Sequence, residues 1–278
     1  MKFWTGVTDN DWYAFLAERK LDEVNFWRPS PGPYFTNLQA GTPFLFKLKA
    51  PFNHIAGGGV FAQYSTLPIE MVWDAFGEKN GAASFREFDQ KIRAYRKLPK
   101  GPLEMGSNVL VEPFFFPRDQ WISLPDWPRA VVQGKTYDTE TTEGAWIWNE
   151  VQQRLQDKAI MDLVAEPAVE YGGPRYGEQF LTRSRLGQGA FRVLVSEAYG
   201  KRCAITGEST LPVLEAAHIK PYELEGPHKI TNGMLLRSDF HKLFDAGLVT
   251  VTPELRVRVS DRIREQYFNG KAYYRLHD

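Results

Sequence analysis

The sequence predicts an α+β protein of two domains, the first rich in short strands and the second built around a strand–strand–helix unit. Three observations lead there. All eight tryptophans lie within the first 148 residues, so the two halves build different cores. Residues 25 to 65 are short apolar runs broken by glycine and proline, the pattern of strands and turns. Residues 214 to 247 read as strand, turn, strand and a short amphipathic helix. The expected boundaries are a first domain over residues 1–165, a linker over 166–185 around Gly172, Gly173 and Pro174, and a second domain over 186–278.

Composition narrows the function. With 43% hydrophobic and 24% charged residues among 278, the chain can bury a core. The 34 basic residues cancel the 34 acidic ones, so nucleic-acid binding would need local basic faces rather than global charge. The opening residues contain Asp9 and Asp11 where a signal peptide needs an apolar run, and no stretch reaches the roughly 20 apolar residues of a membrane span. One cysteine, Cys203, excludes an internal disulfide and a tetracysteine zinc site. These features predict a cytoplasmic protein with no membrane partner.

The elements follow in order. Asp9 or Asn10 can cap a helix whose stripe is Trp12, Phe15 and Leu16. The prolines at 29, 31 and 33 require a loop after Asn25-Phe26-Trp27. Residues 44–49 alternate like a strand, and Gly57, Gly58 and Gly59 lead a second strand, where missing side chains let a backbone come close to a ligand or another strand. Residues 69–95 are helical in two pieces, the second capped by Ser84. Residues 109–116 form a strand, 117–128 a loop, and 150–161 a helix. Phe191, Leu194, Val195 and Ala198 share one face of a helix that Gly200 ends.

His218, Asn232 and His241 follow at intervals of 14 and 9. Their contexts are Leu214-Glu-Ala-Ala-His-Ile-Lys-Pro221, Thr231-Asn-Gly-Met-Leu-Leu236 and Ser238-Asp-Phe-His-Lys-Leu-Phe-Asp-Ala-Gly247. Ser238 is the expected cap of the last helix. Imidazole titrates near neutrality, so two histidines on one unit can move a proton and hold a metal.

The pattern AAHIKP … TNGMLLRSDFHKLFDAGL, preceded by RCAITGE, resembles the HNH nucleases, which carry a ββα-metal fold; the likeness spans roughly residues 185–260. It implies that His218 is the general base, that His241 binds one divalent cation (Mg²⁺ or Mn²⁺), and that Asn232 ties the loop that orients His218. Many such nucleases carry Asp or His just before the general base as second ligand. Here that residue is Ala217. Strand side chains alternate, so Glu215 shares its face and is the candidate replacement. Asp245, four residues after His241, can orient that imidazole. Many relatives hold the unit with a zinc-binding cysteine pair, and no structural zinc is expected with one thiol. Arg183, Arg185, Arg192, Lys201 and Arg202 form a candidate phosphate-contacting strip.

The N-terminal segments FWTGVTDNDWYAFL … NFWRP … GTPFLFKLKAPFNHIAGGGVF resemble EVE domains of the PUA-like superfamily, which implies a β-barrel-type fold with flanking helices. EVE joined to HNH resembles the modification-dependent restriction endonucleases, which recognise double-stranded DNA carrying 5-methyl- or 5-hydroxymethylcytosine. Reading one methyl group is easiest when the base is flipped into an aromatic pocket. The candidates are Trp27, Asn25, Phe61 and Tyr64 for its walls and His54 and Asn53 for edge hydrogen bonds. One metal site cuts one strand, so a homodimer is expected. The runner-up is a non-cleaving PUA-like reader of modified nucleic acid with a degenerate HNH unit.

Overall fold

Pro43–Leu48 is a strand in which every residue is buried, because apolar layers lie on both sides of it. Phe44, Phe46 and Leu48 enter one cluster with Trp12, Tyr13, Leu16 and Phe61. Leu45 enters a second with Phe3, Ile55, Tyr137 and Ile147. This computed structural model describes residues 1–32, 38–98, 100–124, 127–128, 130–163, 187–220, 229–267 and 270–277. It is mixed α+β, with two compact units, Met1–Ala190 and Phe191–Asp278.

The N-terminal unit contains strands β1 (Lys2–Thr8), β2 (Glu23–Arg28), β3 (Pro43–Leu48), β4 (His54–Pro68), β5 (Glu104–Phe115), β6 (Ile122–Ser123) and β7 (Gly134–Asp138), with helices α1 (Asn10–Ala17), α2 (Ile69–Phe76), α3 (Phe85–Arg96) and α4 (Thr142–Leu163). The sheet order is β2-β5-β4-β3-β1-β7, with β6 on β4. β1 and β3 are parallel and the other pairs antiparallel. The barrel implied by the resemblance is not closed among the described residues: β2 and β7 end an open mixed sheet.

Local chemistry explains the helix starts. The Asp9 carboxylate accepts from the backbone N–H of Asp11 and Trp12 (3.1 and 3.4 Å), satisfying donors that the first turn of α1 leaves open. Ser84 accepts from Glu87 N (3.3 Å) at the start of α3. The helix expected from residue 150 begins at Thr142, because the Thr141 hydroxyl accepts from Gly144 N at 3.1 Å.

The glycine run serves strand packing. A Cβ on Gly57 would lie 2.3 Å from the Phe114 carbonyl oxygen, and one on Gly58 would lie 2.6 Å from that of Phe44. β4 therefore nests between β3 and β5 only where side chains are absent. The tryptophan surplus is likewise largely packing: Trp12 meets Phe26 and Phe46 edge-on, and Trp121 meets Tyr13 and Phe52.

The C-terminal unit holds most of α5 (Gln188–Ala198), then β8 (Leu214–His218), β9 (Gly233–Arg237), α6 (Ser238–Asp245), the β10 (Val249–Val251) and β11 (Val257–Val259) pair, α7 (Arg262–Tyr267) and α8 (Lys271–Tyr274). Ser238 is the first residue of α6 rather than its cap, since Arg237 holds the cap position without a side-chain bond. Asp239 serves that turn instead, accepting from Phe240 N (2.9 Å) and from both arms of Arg237 (2.7 and 2.8 Å); a carboxylate there also suits the helix dipole.

Gly57→Ala is expected to destabilise the protein by about 1–3 kcal/mol, the usual cost of overpacking against backbone, measured as a lower urea midpoint with an unchanged slope.

Candidate functional site

β8 and β9 pair antiparallel, with Glu215 opposite Leu236, Ala217 opposite Met234 and His218 opposite Gly233. Both faces of the pair carry buried apolar residues: Leu214 and Leu235 on the face of His218, Ala217 and Leu236 on the face of Glu215. Beyond His218 the pairing continues by one bond, Ile219 N to Asn232 O at 2.8 Å. The Asn232 side chain then closes a ring with the next residue. Its Oδ1 accepts from Lys220 N (2.9 Å) and its Nδ2 donates to Lys220 O (3.0 Å). A buried amide satisfied on both ends fixes the chain leaving His218.

The His218 ring lies flat on Phe191 of α5, centroids 4.1 Å apart and planes 5° from parallel. The same helix presses on the opposite residue: a Cβ on Gly233 would fall 2.2 Å from Val195 Cγ2. Phe191 was not singled out as a site residue by sequence, where it reads as one member of a helical apolar stripe.

Glu215, His241 and Asp245 come together. Strand alternation puts Glu215 on the face toward α6, and its Oε2 lies 2.6 Å from His241 Nδ1. Asp245 Oδ2 lies 3.3 Å from His241 Nε2, one helical turn away. The Glu215 and Asp245 side chains are 42% and 61% exposed, so solvent and ions can reach them. The Glu215 carboxylate is a hard oxygen donor that suits Mg²⁺ or Mn²⁺, and the His241 imidazole is a borderline donor that Mn²⁺ also accepts. By chemistry this pair fits such a cation, with water completing the shell. As placed, the donors face one another. Among the described residues no three His, Cys, Asp or Glu side chains enclose a metal position.

Cys203 is buried, as a small hydrophobe would be, and also acts as an acceptor. Its Sγ receives the backbone N–H of Thr206 (3.4 Å) and Arg237 (3.3 Å). Burial opposes ionisation of the thiol, but hydrogen bonding from the Thr206 side chain together with these backbone bonds outweighs it and holds its pKa below the ordinary value. Of the basic strip, Arg183 and Arg185 lie outside the described residues. Arg192 is half-buried on α5 and Arg202 exposed, while Lys201 pairs with Glu197 at 3.1 Å.

The six residues expected around a base do not form one pocket. Asn25 is fully buried and donates to Asn80 Oδ1 (2.8 Å) and Ser107 Oγ (3.3 Å); Phe61 is core. Tyr64 receives Gly32 N (3.3 Å). His54 bonds the Phe52 carbonyl, and Asn53 accepts from Lys47 Nζ (2.9 Å). Trp27 alone among the six lines a cavity of about 210 Å³, with Val7, Asp9, Trp12, Phe26, Arg28, Pro29, Lys49, Tyr95, Val132 and Gln133.

Asp9 is the charged centre of this cavity. It accepts from the Tyr95 hydroxyl at 2.7 Å and pairs with Lys49 at 3.3 Å and Lys91 at 3.5 Å. Burial works against its ionisation, but the Tyr95 bond and the two lysine charges prevail and lower its pKa to about 2.

Two outcomes follow from this geometry. Replacing Asn232 with Ala orphans both Lys220 backbone groups and is expected to cost about 1–3 kcal/mol, read by urea denaturation. Because the folded-state pKa of Asp9 is depressed from 3.8 to about 2, its contribution is complete above the ordinary value and fades as pH falls through the folded one. The melting-temperature gap between the wild type and Asp9→Asn is therefore expected to close as pH drops from about 4 to about 2.

An HNH endonuclease domain lies at residues 203–252, where the chain matches the family model of that description. No curated protein matches the chain. Among solved structures it is similar to a mutant of the ZmASCH protein from Zymomonas mobilis, at 13% identity over 45% of this chain and 77% of that chain, with a TM-score of 0.30. That score is too low to carry an argument about the N-terminal unit.

Proposed function

We propose that the chain is a metal-dependent DNA endonuclease that cuts duplexes containing 5-methyl- or 5-hydroxymethylcytosine, with a reader over residues 1–165 and a nuclease over 186–278. The observation that carries the nuclease half is the HNH domain at 203–252, within which Glu215 and Asp245 flank His241. His218 takes the proton of the attacking water as general base. Asn232 holds that strand end through its ring with Lys220. His241 and Glu215 are the residues that would hold Mg²⁺ or Mn²⁺, which when bound supplies charge neutralisation at the scissile phosphate and the leaving oxygen. Asp245 orients His241. Arg183, Arg185, Arg192, Lys201 and Arg202 track phosphates, and two copies acting together make a double-strand break.

The reader half is supported by the cavity beside Trp27. A base flipped out of the duplex would stack there, and fit to its methyl group adds about 1–3 kcal/mol to the discrimination. One observation favours the alternative, a reader that does not cut: the direct Glu215–His241 bond occupies the donors that a cation needs, next to Ala217, where many HNH nucleases have a ligand.

The test incubates the full chain and Mg²⁺ or Mn²⁺ with plasmids that carry or lack cytosine methylation. Cleavage of methylated plasmid alone is expected, with His218→Ala silent in cutting but intact in DNA binding, and Glu215→Ala needing more metal. Equal cutting of both plasmids ends the modification reading. Binding without cutting by the wild type selects the alternative.

A further inference from the structure

The cavity beside Trp27 has features that say which part of a ligand it touches. At about 210 Å³ it is smaller than the roughly 300–1,000 Å³ of drug-sized sites, so it has room for a single ring. Trp12, Phe26, Trp27 and Tyr95 supply aromatic walls, which suit a flat ring. Its polar side includes Lys49, and that lysine is held at both backbone and side chain. Lys49 N donates to Asn10 Oδ1 (2.9 Å) and Asn10 Nδ2 donates to Ala50 O (3.3 Å). The ammonium donates to Asp9 Oδ2 (3.3 Å) and Tyr95 Oη (3.4 Å). An ammonium carries three hydrogens, and these two bonds leave the third for a ligand.

Resting on the reader half of the proposed function, the geometry points to Lys49 as the specificity-determining residue of this cavity: it donates to the ring carbonyl of a pyrimidine stacked against Trp27. Asp9 and Tyr95 are positioning residues that act through Lys49. The aromatic walls and single-ring volume favour a flat, neutral acceptor over a tetrahedral anionic group. Preorganisation of this kind strengthens a hydrogen bond by removing the entropy of placing the donor.

The experiment measures binding of 2′-deoxycytidine, 5-methyl-2′-deoxycytidine and a cytosine nucleoside analogue lacking the ring carbonyl to the full-length chain by NMR titration. It also measures binding of a duplex with one 5-methylcytosine. Lys49→Met is expected to weaken the two natural nucleosides and the duplex roughly tenfold, the scale of a hydrogen bond from a charged donor. The analogue, which lacks the acceptor, should bind wild type and variant alike. Asp9→Asn, which still caps α1, is expected to show the same acceptor-specific loss to a smaller extent. Lys49→Gln serves as second variant if Lys49→Met does not fold.

Equal loss for the analogue would make Lys49 merely structural and overturn the inference. So would a wild type that prefers the methylated duplex while the Lys49 variants keep the same affinity and preference; the reader half would then survive at another site. A Lys49 effect on free nucleosides with no preference for methylated duplex supports the pyrimidine assignment and ends the reader half. Absence of both nucleoside binding and duplex preference overturns both.

Discussion

The side-chain amide of Asn232 closes a ring with both backbone groups of Lys220, two residues beyond His218, and the placement of the strand end depends on it. Each bond is modest on its own, near 1 kcal/mol net, but losing the amide would leave two peptide groups unsatisfied at a larger cost. The hold has two further parts. Phe191 lies flat under the His218 ring, and Gly233, opposite His218, allows Val195 to come closer than any side chain would permit. Backbone, ring face and partner strand are each held, so the imidazole at the strand terminus is packed from three directions.

The N-terminal unit meets a different constraint. Its central strand is buried on both sides and includes Lys47, which is only 3% exposed. Burial lowers the pKa of that lysine, and its ammonium donates to Asn53 and lies 4.9 Å from the Trp127 ring centre. Asp9 solves two problems with one carboxylate, capping α1 and gathering Lys49, Lys91 and Tyr95. The aromatic content serves the core first, and only a few rings open onto the cavity.

The ββα unit was legible because its signals are local. Intervals of 14 and 9, a proline after the first strand and strand alternation at Glu215 and Ala217 are all properties of short segments. The meeting of Glu215 with His241 follows from that alternation. The cavity was not legible in the same way. Asp9 and Lys49 are 40 residues apart and Asp9 and Tyr95 are 86 apart, so only the sheet order brings them together. Asn25 misled for a related reason: a polar residue beside a tryptophan and a proline loop suggests a ligand contact, but in the fold its amide is spent on Asn80 and Ser107. The open sheet also departs from the expected barrel, since closure is set by long-range pairing rather than by any one strand's composition.

The ring between Asn232 and Lys220 has a further consequence for the strand it ends. Asn232 N donates to Lys229 O (2.9 Å), so Lys220 and Lys229 are both tied to this one residue. Lengthening a chain between fixed ends costs only about 0.6 kcal/mol per doubling. Insertions between residues 220 and 229 should therefore leave the strand end beside His218 where the amide holds it, so length can change there at little cost to the pairing of β8 with β9.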